Sequence, residues 1–274
     1  MRRGNWVGGR WGAAARGREF EVGGRTGGLE RWARSGPEDA QEALRACAEA
    51  ANAWGRLARS ERVAALRRVA AALDTGAVSA ALAPDLGLDP GELRGRVDEE
   101  LFRFTEALEL FVEGPEERGV GVFCAHWSDF VGGLGMRLAR GLAAGRAFVL
   151  RSDRRLPRAA QLFAEAVERA ELSCAPLALL HGDQPDLDLA LTGDSRAATV
   201  RVREVDSVLS SLLPRVRARA ETIWELWRVA NASAALEPDI DPAEAAARCV
   251  ERFVGRSTTL SGQCPGVLAR VLCP

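Results

Sequence analysis

The sequence has 274 residues, of which 47% are hydrophobic, and a formal net charge of −1. A chain of this length and composition can bury a substantial core. Its 37 basic residues are all arginines and are balanced by 38 acidic ones, so no positive excess is available for nucleic acid or an anionic membrane. No apolar run approaches the ~20 residues of a membrane span. The arginine-containing start lacks a signal-peptide core, with a transit peptide as the alternative, and we expect a cytoplasmic protein without nucleic-acid or membrane partners.

The cysteines do not form a metal-binding or disulfide pattern. There are six, placed singly along the chain, and only two histidines accompany them. No pair has the spacing of zinc ligands, and dense disulfides are typical of much smaller secreted chains. We therefore expect no metal site and a reducing compartment.

The first part of the chain predicts short strands followed by helices. In residues 4–32, short apolar runs alternate with glycines, and this pattern is typical of a hairpin or of edge strands. A helix then begins near Ser35 or Asp39, either of which could cap it. Apolar residues at helical spacing predict a second helix from Ser60 to about Leu73. Glycines and prolines interrupt the helical pattern in residues 75–97. Residues 99–111 are predicted to form a third helix.

From residue 119 onward the pattern becomes one of alternating strands and helices. Short, wholly apolar runs predict buried parallel strands, and the segments between them are helical. The predicted strands are 120–125, 146–150, 176–180 and 187–192, and the predicted helices are 131–144 and 157–170. Such alternation indicates a parallel sheet with helices on its faces. Later segments are predicted as helices at 201–220 and 242–254 and strands at 222–226 and 267–273.

Several motifs, taken in order, resemble the aldehyde dehydrogenase superfamily over nearly the whole chain. The segments on which this resemblance rests are NWVGGRW, PEDAQEALRACAEAANAWGRLARSERVAALRRVAAAL, GVGVFCAHWSDF, LARGLAAGRAFVLRSD, LALTGD, WELW and SGQC. The resemblance implies a Rossmann-like parallel sheet with flanking helices, an α/β fold that binds NAD or NADP. It also implies a hairpin and helical part at 1–118, the NAD(P)-binding part at 119–226, and the start of an incomplete catalytic domain at 227–274.

In this family a cysteine thiolate attacks an aldehyde, hydride passes to NAD(P), and a glutamate activates the water that releases the acid. The resemblance places Glu225 at the general base, and the alternative is a surface carboxylate between the aromatic residues Trp224 and Trp227. The family's nucleophile falls on Pro265, with Cys264 one position earlier, so Cys264 is either the nucleophile of a shifted loop or a buried free cysteine. Ser128, after Trp127, stands at the oxyanion position, where a hydroxyl could donate, or is an ordinary turn residue.

The resemblance also implies cofactor-binding positions. Arg151 stands where the family has a lysine for the adenosine ribose, and Arg154 where it has a ribose-binding glutamate. Asp153 is adjacent to Arg154 and could replace that glutamate, whereas arginine there favours the 2′-phosphate of NADP. Trp127 is part of the same site. Gly193 and Asp194 match a glycine-containing turn beside the pyrophosphate, although an acid there is unfavourable.

By this resemblance the sequence ends before most of a catalytic domain, so we expect either a truncated enzyme or a chain completed by a partner. Three functions stay open. They are NAD(P)-dependent oxidation of a small aldehyde, an inactive pseudoenzyme or interaction subunit, and a binding module that holds a nucleotide without chemistry. The last apolar segment resembles an unpaired strand, which predicts association with a second copy or a complementing chain.

Overall fold

The computed structural model describes residues 3–23, 28–127, 129–172, 174–182, 184–202, 223–226, 232–235 and 268–272, with the side chains up to residue 200. The chain divides into two compact units, 1–226 and 227–274, and each is described by itself. The three regions expected from the sequence, with boundaries after 118 and 226, stay a prediction.

The predicted N-terminal hairpins are confirmed. The strands are β1 (Asn5–Val7), β2 (Arg10–Gly12), β3 (Glu19–Gly23) and β4 (Leu29–Ala33). β1 and β2 are antiparallel, and so are β3 and β4. Gly8 and Gly9 form the turn between β1 and β2 with φ of 57° and 76°, a backbone conformation that glycine adopts without steric cost.

Four helices follow the hairpins. They are α1 (Pro37–Trp54), α2 (Arg59–Ala71), α3 (Thr75–Leu86) and α4 (Pro90–Leu110). Asp39 caps α1, because its carboxylate accepts a hydrogen bond from the Gly36 N–H at 2.9 Å. Ser35 instead donates its hydroxyl to Asn5 at 2.9 Å. Of the two predicted caps, Asp39 is therefore confirmed and Ser35 is not.

The prediction of a broken segment at 75–97 is wrong, since α3 and the start of α4 occupy it. Asp74 caps α3 by accepting from the Ala77 N–H, and Gly87 ends the helix with φ of 66°. Asp89 then caps α4, which begins at Pro90. Glycine just past a helix and proline at its first position are the residues that helix ends prefer, so here they mark boundaries between helices.

The remaining elements build the parallel sheet. They are β5 (Val120–Cys124), α5 (Val131–Ala144), β6 (Ala147–Arg151), α6 (Pro157–Arg169), β7 (Leu177–Leu180), α7 (Pro185–Thr192), β8 (Ala197–Val202) and β9 (Ile223–Leu226). The sheet order is β2-β1-β7-β6-β5-β8-β9. Strands β5 to β9 run parallel, and β1 adds to β7 in the antiparallel sense. The predicted α/β class, a parallel sheet with flanking helices, is confirmed.

Both faces of the sheet are covered by helices. Alternate residues of the strands, such as Val122 and Val149, pack against α1 and α7 in one buried cluster. The intervening residues face the opposite side, where Phe148 approaches Gly141 of α5. Every residue of β5 is buried, which is why its sequence is apolar throughout.

The predicted strand at 187–192 is wrong, because α7 occupies this segment. Leucines at 187, 189 and 191 alternate as a strand would, but Pro185 occupies the first helical turn and fixes a helical φ. Leu187 and Leu191, one helical turn apart, are fully buried, whereas Leu189 is exposed. The helical face therefore decides the burial, and β8 follows as the next strand.

The later predictions have mixed outcomes. The strand at 222–226 is confirmed as β9. The helix predicted at 201–220 conflicts with β8 at 201–202, and its remainder lies outside the described residues, as does the helix predicted at 242–254. In the second unit, β10 (Ala232–Ala235) pairs in parallel with β11 (Leu268–Leu272). The predicted last strand therefore has a partner within the chain.

Within the described residues, no single helix is long and apolar enough to cross a membrane. The pair α2 and α3 passes that test by length and composition only, with a bend of 64° between the two helices.

The close contact of the Phe148 ring with Gly121 and Gly141 makes a test of this packing. A Cβ added at Gly141 would lie 2.5 Å from Phe148 Cζ, so Gly141→Ala must displace the ring. We expect it to lower the free energy of unfolding by about 1–3 kcal/mol. Gly95 of α4 is the control, because a Cβ there meets nothing within 4 Å and alanine should stabilise the helix by up to about 1 kcal/mol. Urea unfolding of both variants measures the difference, and equal stabilities would contradict the packing.

Candidate active site

The sheet topology determines where a ligand site is expected. The strands in chain order run outward from β5 through β6 to β7, and the chain then returns to the other side of β5 with β8 and β9. The order therefore reverses between β5 and β8. In open α/β sheets, ligands bind at such a reversal, outside the carboxyl ends of the strands. The segments at this edge include 125–130 after β5 and 152–156 after β6.

The segment after β5 is held in place by its neighbours. The Ala125 N–H donates to the Arg151 carbonyl at 2.9 Å, and the Trp127 N–H donates to Asp153 Oδ2 at 3.0 Å. Trp127 itself is buried. Ser128, the predicted oxyanion donor, lies outside the described residues. Its preceding residue is fixed at the carboxyl end of β5, which is compatible with the predicted position.

Asp153 is fully engaged inside the chain. Its Oδ1 accepts from the Arg155 N–H at 2.8 Å and from Nε at 3.0 Å. Its Oδ2 accepts from Arg155 Nη2 at 2.7 Å as well as from Trp127. Burial alone would raise the pKa of Asp153, but the hydrogen bonds and charge of Arg155 outweigh it and lower the pKa below its ordinary value. Asp153 therefore stays ionised and joins the segments after β5 and β6.

Arg151 is paired with Asp188 of α7. Its Nε donates to Asp188 Oδ1 at 2.7 Å and its Nη2 to Oδ2 at 2.5 Å, which is a bidentate arrangement. Burial would lower the pKa of Arg151, but the Asp188 carboxylate raises it above its ordinary value. The predicted ribose-binding cation thus already has a carboxylate partner, and this pair joins β6 to α7.

Arg154 differs from its neighbours because it is exposed. Among the residues that the structure describes, none forms a hydrogen bond or ion pair with its guanidinium. It lies between Asp153 and Arg155, at the carboxyl end of β6. A guanidinium can bind a phosphate through two hydrogen bonds, and the cofactor-binding role of Arg154 stays a prediction.

Gly193 and Asp194 lie at the other edge of the sheet. They follow α7 and precede β8, whose first residue Ala197 is in register with Val120 at the start of β5. Asp194 is bound to Arg196 at 2.8 Å and accepts from Gln41 at 3.1 Å. Hydrogen bonds from Arg196 lower the pKa of Asp194 to about 2. This placement argues against a pyrophosphate-binding turn at LTGD. The resemblance there rested on a segment that is a helix end rather than a strand end.

The predicted general base and nucleophile are less fully placed. Glu225 belongs to β9, in register with Arg201 of β8, and its side chain lies outside the described residues. Cys264 and Pro265 lie outside them altogether. The roles of Glu225, Cys264 and Ser128 therefore stay predictions.

The described cysteines contrast with a catalytic thiol. Burial raises the pKa of both Cys47 and Cys124 to about 12, so neither is a thiolate near neutral pH. Cys174 is exposed. Among the described residues, no group of three or more histidines, cysteines or carboxylates could hold a metal ion.

Glu100 is a buried carboxylate that the sequence analysis missed. It lies on α4 and accepts from the Gly133 N–H, in the first turn of α5, at 2.9 Å. Arg96 donates to it at 3.3 Å. Burial raises the pKa of Glu100 to about 7, with Arg96 opposing the shift. The signal was present, since Glu100 shares the buried face of α4 with Val97 and Phe104 and is acidic.

His181 is also buried, next to the carboxyl end of β7. Its Nδ1 is 2.8 Å from the Ser152 hydroxyl, and its ring meets Trp32 edge-on with centroids 5.0 Å apart. Burial lowers the pKa of His181 to about 3. The ring is therefore neutral near neutral pH, and its contacts join Trp32 of β4 to Ser152 after β6.

Comparison with known proteins shows the fold. No protein-family model matches the sequence, and no curated protein matches it. Solved structures do match, at TM-scores above 0.8. A succinate-semialdehyde dehydrogenase from Burkholderia pseudomallei has a TM-score of 0.84 and 20% identity, covering 99% of this chain and 60% of its own. A lactaldehyde dehydrogenase has a TM-score of 0.86 and 20% identity, covering 98% of this chain and 60% of its own.

A third match is a betaine aldehyde dehydrogenase from Staphylococcus aureus in complex with NAD+, with a TM-score of 0.81 and 15% identity. It covers 92% of this chain and 55% of its own. This chain therefore has the fold of the aldehyde dehydrogenase structures and spans about 60% of the length of the first of them. The predicted aldehyde dehydrogenase-like fold is confirmed.

The raised pKa of Glu100 predicts a pH-dependent stability. The folded-state pKa of about 7 lies above the ordinary 4.5, so the folded chain binds this proton more tightly than the unfolded chain does. This contribution is fully present below about pH 4.5 and is lost as the pH rises through about 7. The loss is on the order of 3 kcal/mol. Glu100→Gln should remove it, because an amide oxygen can still accept from Gly133.

Urea unfolding between pH 5 and about 8 measures this difference. The control is Glu99→Gln on the same helix, where the exposed Glu99 pairs with Arg103 at 2.5 Å and contributes little. Parallel pH profiles for the wild-type chain and Glu100→Gln would show that Glu100 does not titrate in this range.

The Arg151–Asp188 pair should contribute strongly to the native state. Asp188→Ala leaves a guanidinium with 16% side-chain exposure without its carboxylate, and we expect the free energy of unfolding to fall by about 3–5 kcal/mol. Asp186→Ala, at an exposed position of the same helix, should cost less than about 1 kcal/mol. The double variant Arg151→Met, Asp188→Leu should recover most of the loss, since no unpaired charge remains. Similar losses in Asp188→Ala and Asp186→Ala would contradict this assignment.

Proposed function

We propose that this chain is an aldehyde dehydrogenase-like protein that binds NAD or NADP and oxidises a small aldehyde to a carboxylic acid. The observation that carries the proposal is the reversal of strand order between β5 and β8, in a fold that matches aldehyde dehydrogenase structures at TM-scores of 0.84 and 0.86. Segments from neighbouring strands meet at that edge, as a dinucleotide site requires.

The proposed reaction uses three residues of this chain. The Cys264 thiolate forms a bond to the aldehyde carbon, and the Ser128 hydroxyl donates to the resulting oxyanion. When bound, NAD(P)+ would accept the hydride that leaves this carbon, and the thiohemiacetal on Cys264 would thereby become a thioester. Glu225 then removes a proton from a water molecule that attacks the thioester, which releases the acid and restores the thiol. Trp127 and Asp153 support this chemistry by fixing the backbone next to Ser128.

A second candidate is a binding or interaction subunit without turnover. Two observations favour it. Arg151 and Asp153, both predicted to bind the cofactor, already have charged partners within the chain. The sequence also has Pro265, which offers no nucleophile, at the position of the family's cysteine. In this case the proposed partner is a second copy or a complementing chain, which would also serve an active form. A cytoplasmic location is part of both proposals.

Mutation of Cys264 distinguishes the two functions. If the chain is an enzyme, Cys264→Ala should abolish aldehyde-dependent NAD(P)H formation, followed by absorbance at 340 nm, because the thioester can no longer form. Cys174→Ala is the matched control, since Cys174 is an exposed cysteine outside the proposed site, and it should keep the activity. Turnover in Cys264→Ala equal to that of the wild-type chain would exclude this nucleophile, and a wild-type chain without turnover would favour the second candidate.

A further inference from the structure

We propose that Asp129, held by Arg137 of α5, is a positioning residue that fixes the backbone on either side of Ser128 and thereby serves the oxyanion-binding step. The inference rests on the proposed function and deepens it, because it gives a role in the reaction to a buried ion pair that acts through a neighbouring residue. It follows from how the residues that flank Ser128 are bonded.

The segment 126–129 is closed on itself by Asp129. The Asp129 N–H donates to the His126 carbonyl at 2.8 Å, and the His126 N–H donates back to Asp129 Oδ2 at 3.2 Å. The backbone and the side chain of one residue therefore both bind the residue three positions before it. Ser128 lies outside the described residues, and the residues before and after it in the sequence, Trp127 and Asp129, both have bonded backbone N–H groups.

The Asp129 carboxylate is buried, and its charge is balanced from α5. The side chain is 2% exposed, and its Oδ1 accepts from Arg137 Nε at 3.0 Å. Arg137 lies in the second turn of α5. A carboxylate buried without a cation would be costly, so Arg137 is what permits a charged acceptor at this place. The pair thus joins the segment 126–129 to the helix that follows it.

A second carboxylate binds the same segment from the end of β6. The Trp127 N–H donates to Asp153 Oδ2 at 3.0 Å, and Asp153 is paired with Arg155 at 2.7 Å. Two consecutive backbone N–H groups, those of His126 and Trp127, are therefore each bound to a buried carboxylate that has its own arginine. Since both groups are occupied, neither is available to a substrate oxyanion. The proposed reaction gives that task to the Ser128 hydroxyl.

The alternative is that the Asp129–Arg137 pair only stabilises the fold. Both roles predict a loss of stability when the pair is broken, but they differ in the reaction. A purely structural pair would lower the fraction of folded enzyme, and its effect would be independent of Ser128. A positioning pair would lower kcat of the folded enzyme with little change in KM, because the oxyanion forms only in the transition state. Its effect would disappear once the Ser128 hydroxyl is removed.

A double-mutant cycle on the full chain tests the inference. Asp129→Asn keeps the shape of the side chain but replaces one acceptor oxygen by an NH2 donor, so it cannot accept from both His126 and Arg137. With acetaldehyde and saturating NAD+ or NADP+, Ser128→Ala should lower kcat by about 100- to 1,000-fold, as the loss of an oxyanion donor does. Asp129→Asn should lower kcat by about 10- to 100-fold through misplacement of that donor. The double variant should be within about twofold of Ser128→Ala alone.

Two arginine variants complete the comparison. Arg137→Met removes the balancing cation and should lower kcat in the same way as Asp129→Asn, so it is the second test if Asp129→Asn does not fold. Arg140→Met is the matched control, because Arg140 is an exposed arginine of the same helix, and it should leave kcat unchanged. Circular dichroism shows which variants are folded at the assay temperature.

Hydrogen exchange followed by mass spectrometry adds a readout that needs no turnover. The peptide that covers residues 125–130 should exchange about 10-fold faster or more in Asp129→Asn, because a charge-assisted hydrogen bond is lost. Peptides from β6 and β7 should be unchanged, whereas global destabilisation would speed up exchange in all of them.

The outcomes separate the inference from the proposed function. Additive losses in the cycle, a change in KM instead of kcat, or unchanged exchange at 125–130 would overturn the positioning role and leave the enzyme. A wild-type chain without turnover overturns the proposed function, and the role of Asp129 in the reaction with it.

Discussion

The burial of both faces of the parallel sheet constrains the rest of the described structure. α1 and α7 cover one face and α5 lies against the other. The strands β5, β6 and β7 therefore have no solvent-exposed face that could carry polar residues. Burying an unpaired polar group costs several kcal/mol, and polar side chains are therefore confined to the strand ends. The charged residues Arg151 and Asp153 occur where β6 ends, at the carboxyl edge of the sheet. The packing of the core and the location of the candidate site are two results of one constraint.

The same constraint explains why the charges at that edge pair with each other. Arg151 and Asp188 are largely buried there, and either charge alone would be costly. The carboxylate of Asp188 on α7 pairs with Arg151. The Glu100 carboxyl group on α4 accepts a hydrogen bond from a backbone N–H in the first turn of α5. These contacts stabilise the scaffold, and they also reduce the number of groups available to a ligand. The chain therefore has the fold of the aldehyde dehydrogenase structures while several charged groups at this edge of the sheet are paired within the chain.

Much of the fold could be predicted from the sequence, and the failures have physical causes. The apolar runs that became β5, β6 and β7 were predicted correctly, because a parallel strand that is buried on both faces is apolar throughout. The leucines of α7 are ambiguous, since a spacing of two residues fits a strand, whereas their burial follows a spacing of four. Pro185 was the deciding signal. In 75–97, Gly87 and Pro90 mark a break that lies between two helices and not within a loop, whereas Pro84 lies inside α3 and breaks nothing.

The candidate site was less predictable than the fold. The position of a residue at the end of β6 follows from the strand pattern, but the partners of its charge come from α7 and from the same loop, and pairing of that kind is not visible in one sequence. The misplacement of Gly193 and Asp194 shows the related danger of short motifs, because a glycine after a helix and a glycine after a strand look alike. Motif similarity identified the fold through the order of many segments, while single motifs misassigned individual residues.

The burial of two cysteines between α1 and the sheet has a practical consequence. Cys47 lies on α1 and Cys124 on β5, in one apolar cluster, and the Cys47 thiol contacts the Phe148 carbonyl at 3.2 Å. A thiol reagent can reach either sulfur only when the helix separates from the strands. Their alkylation rates, resolved peptide by peptide, would therefore report the free energy of that local opening, with the exposed Cys174 as the reference for unhindered reaction. The chain thus carries its own probes of how firmly the helical layer adheres to the sheet.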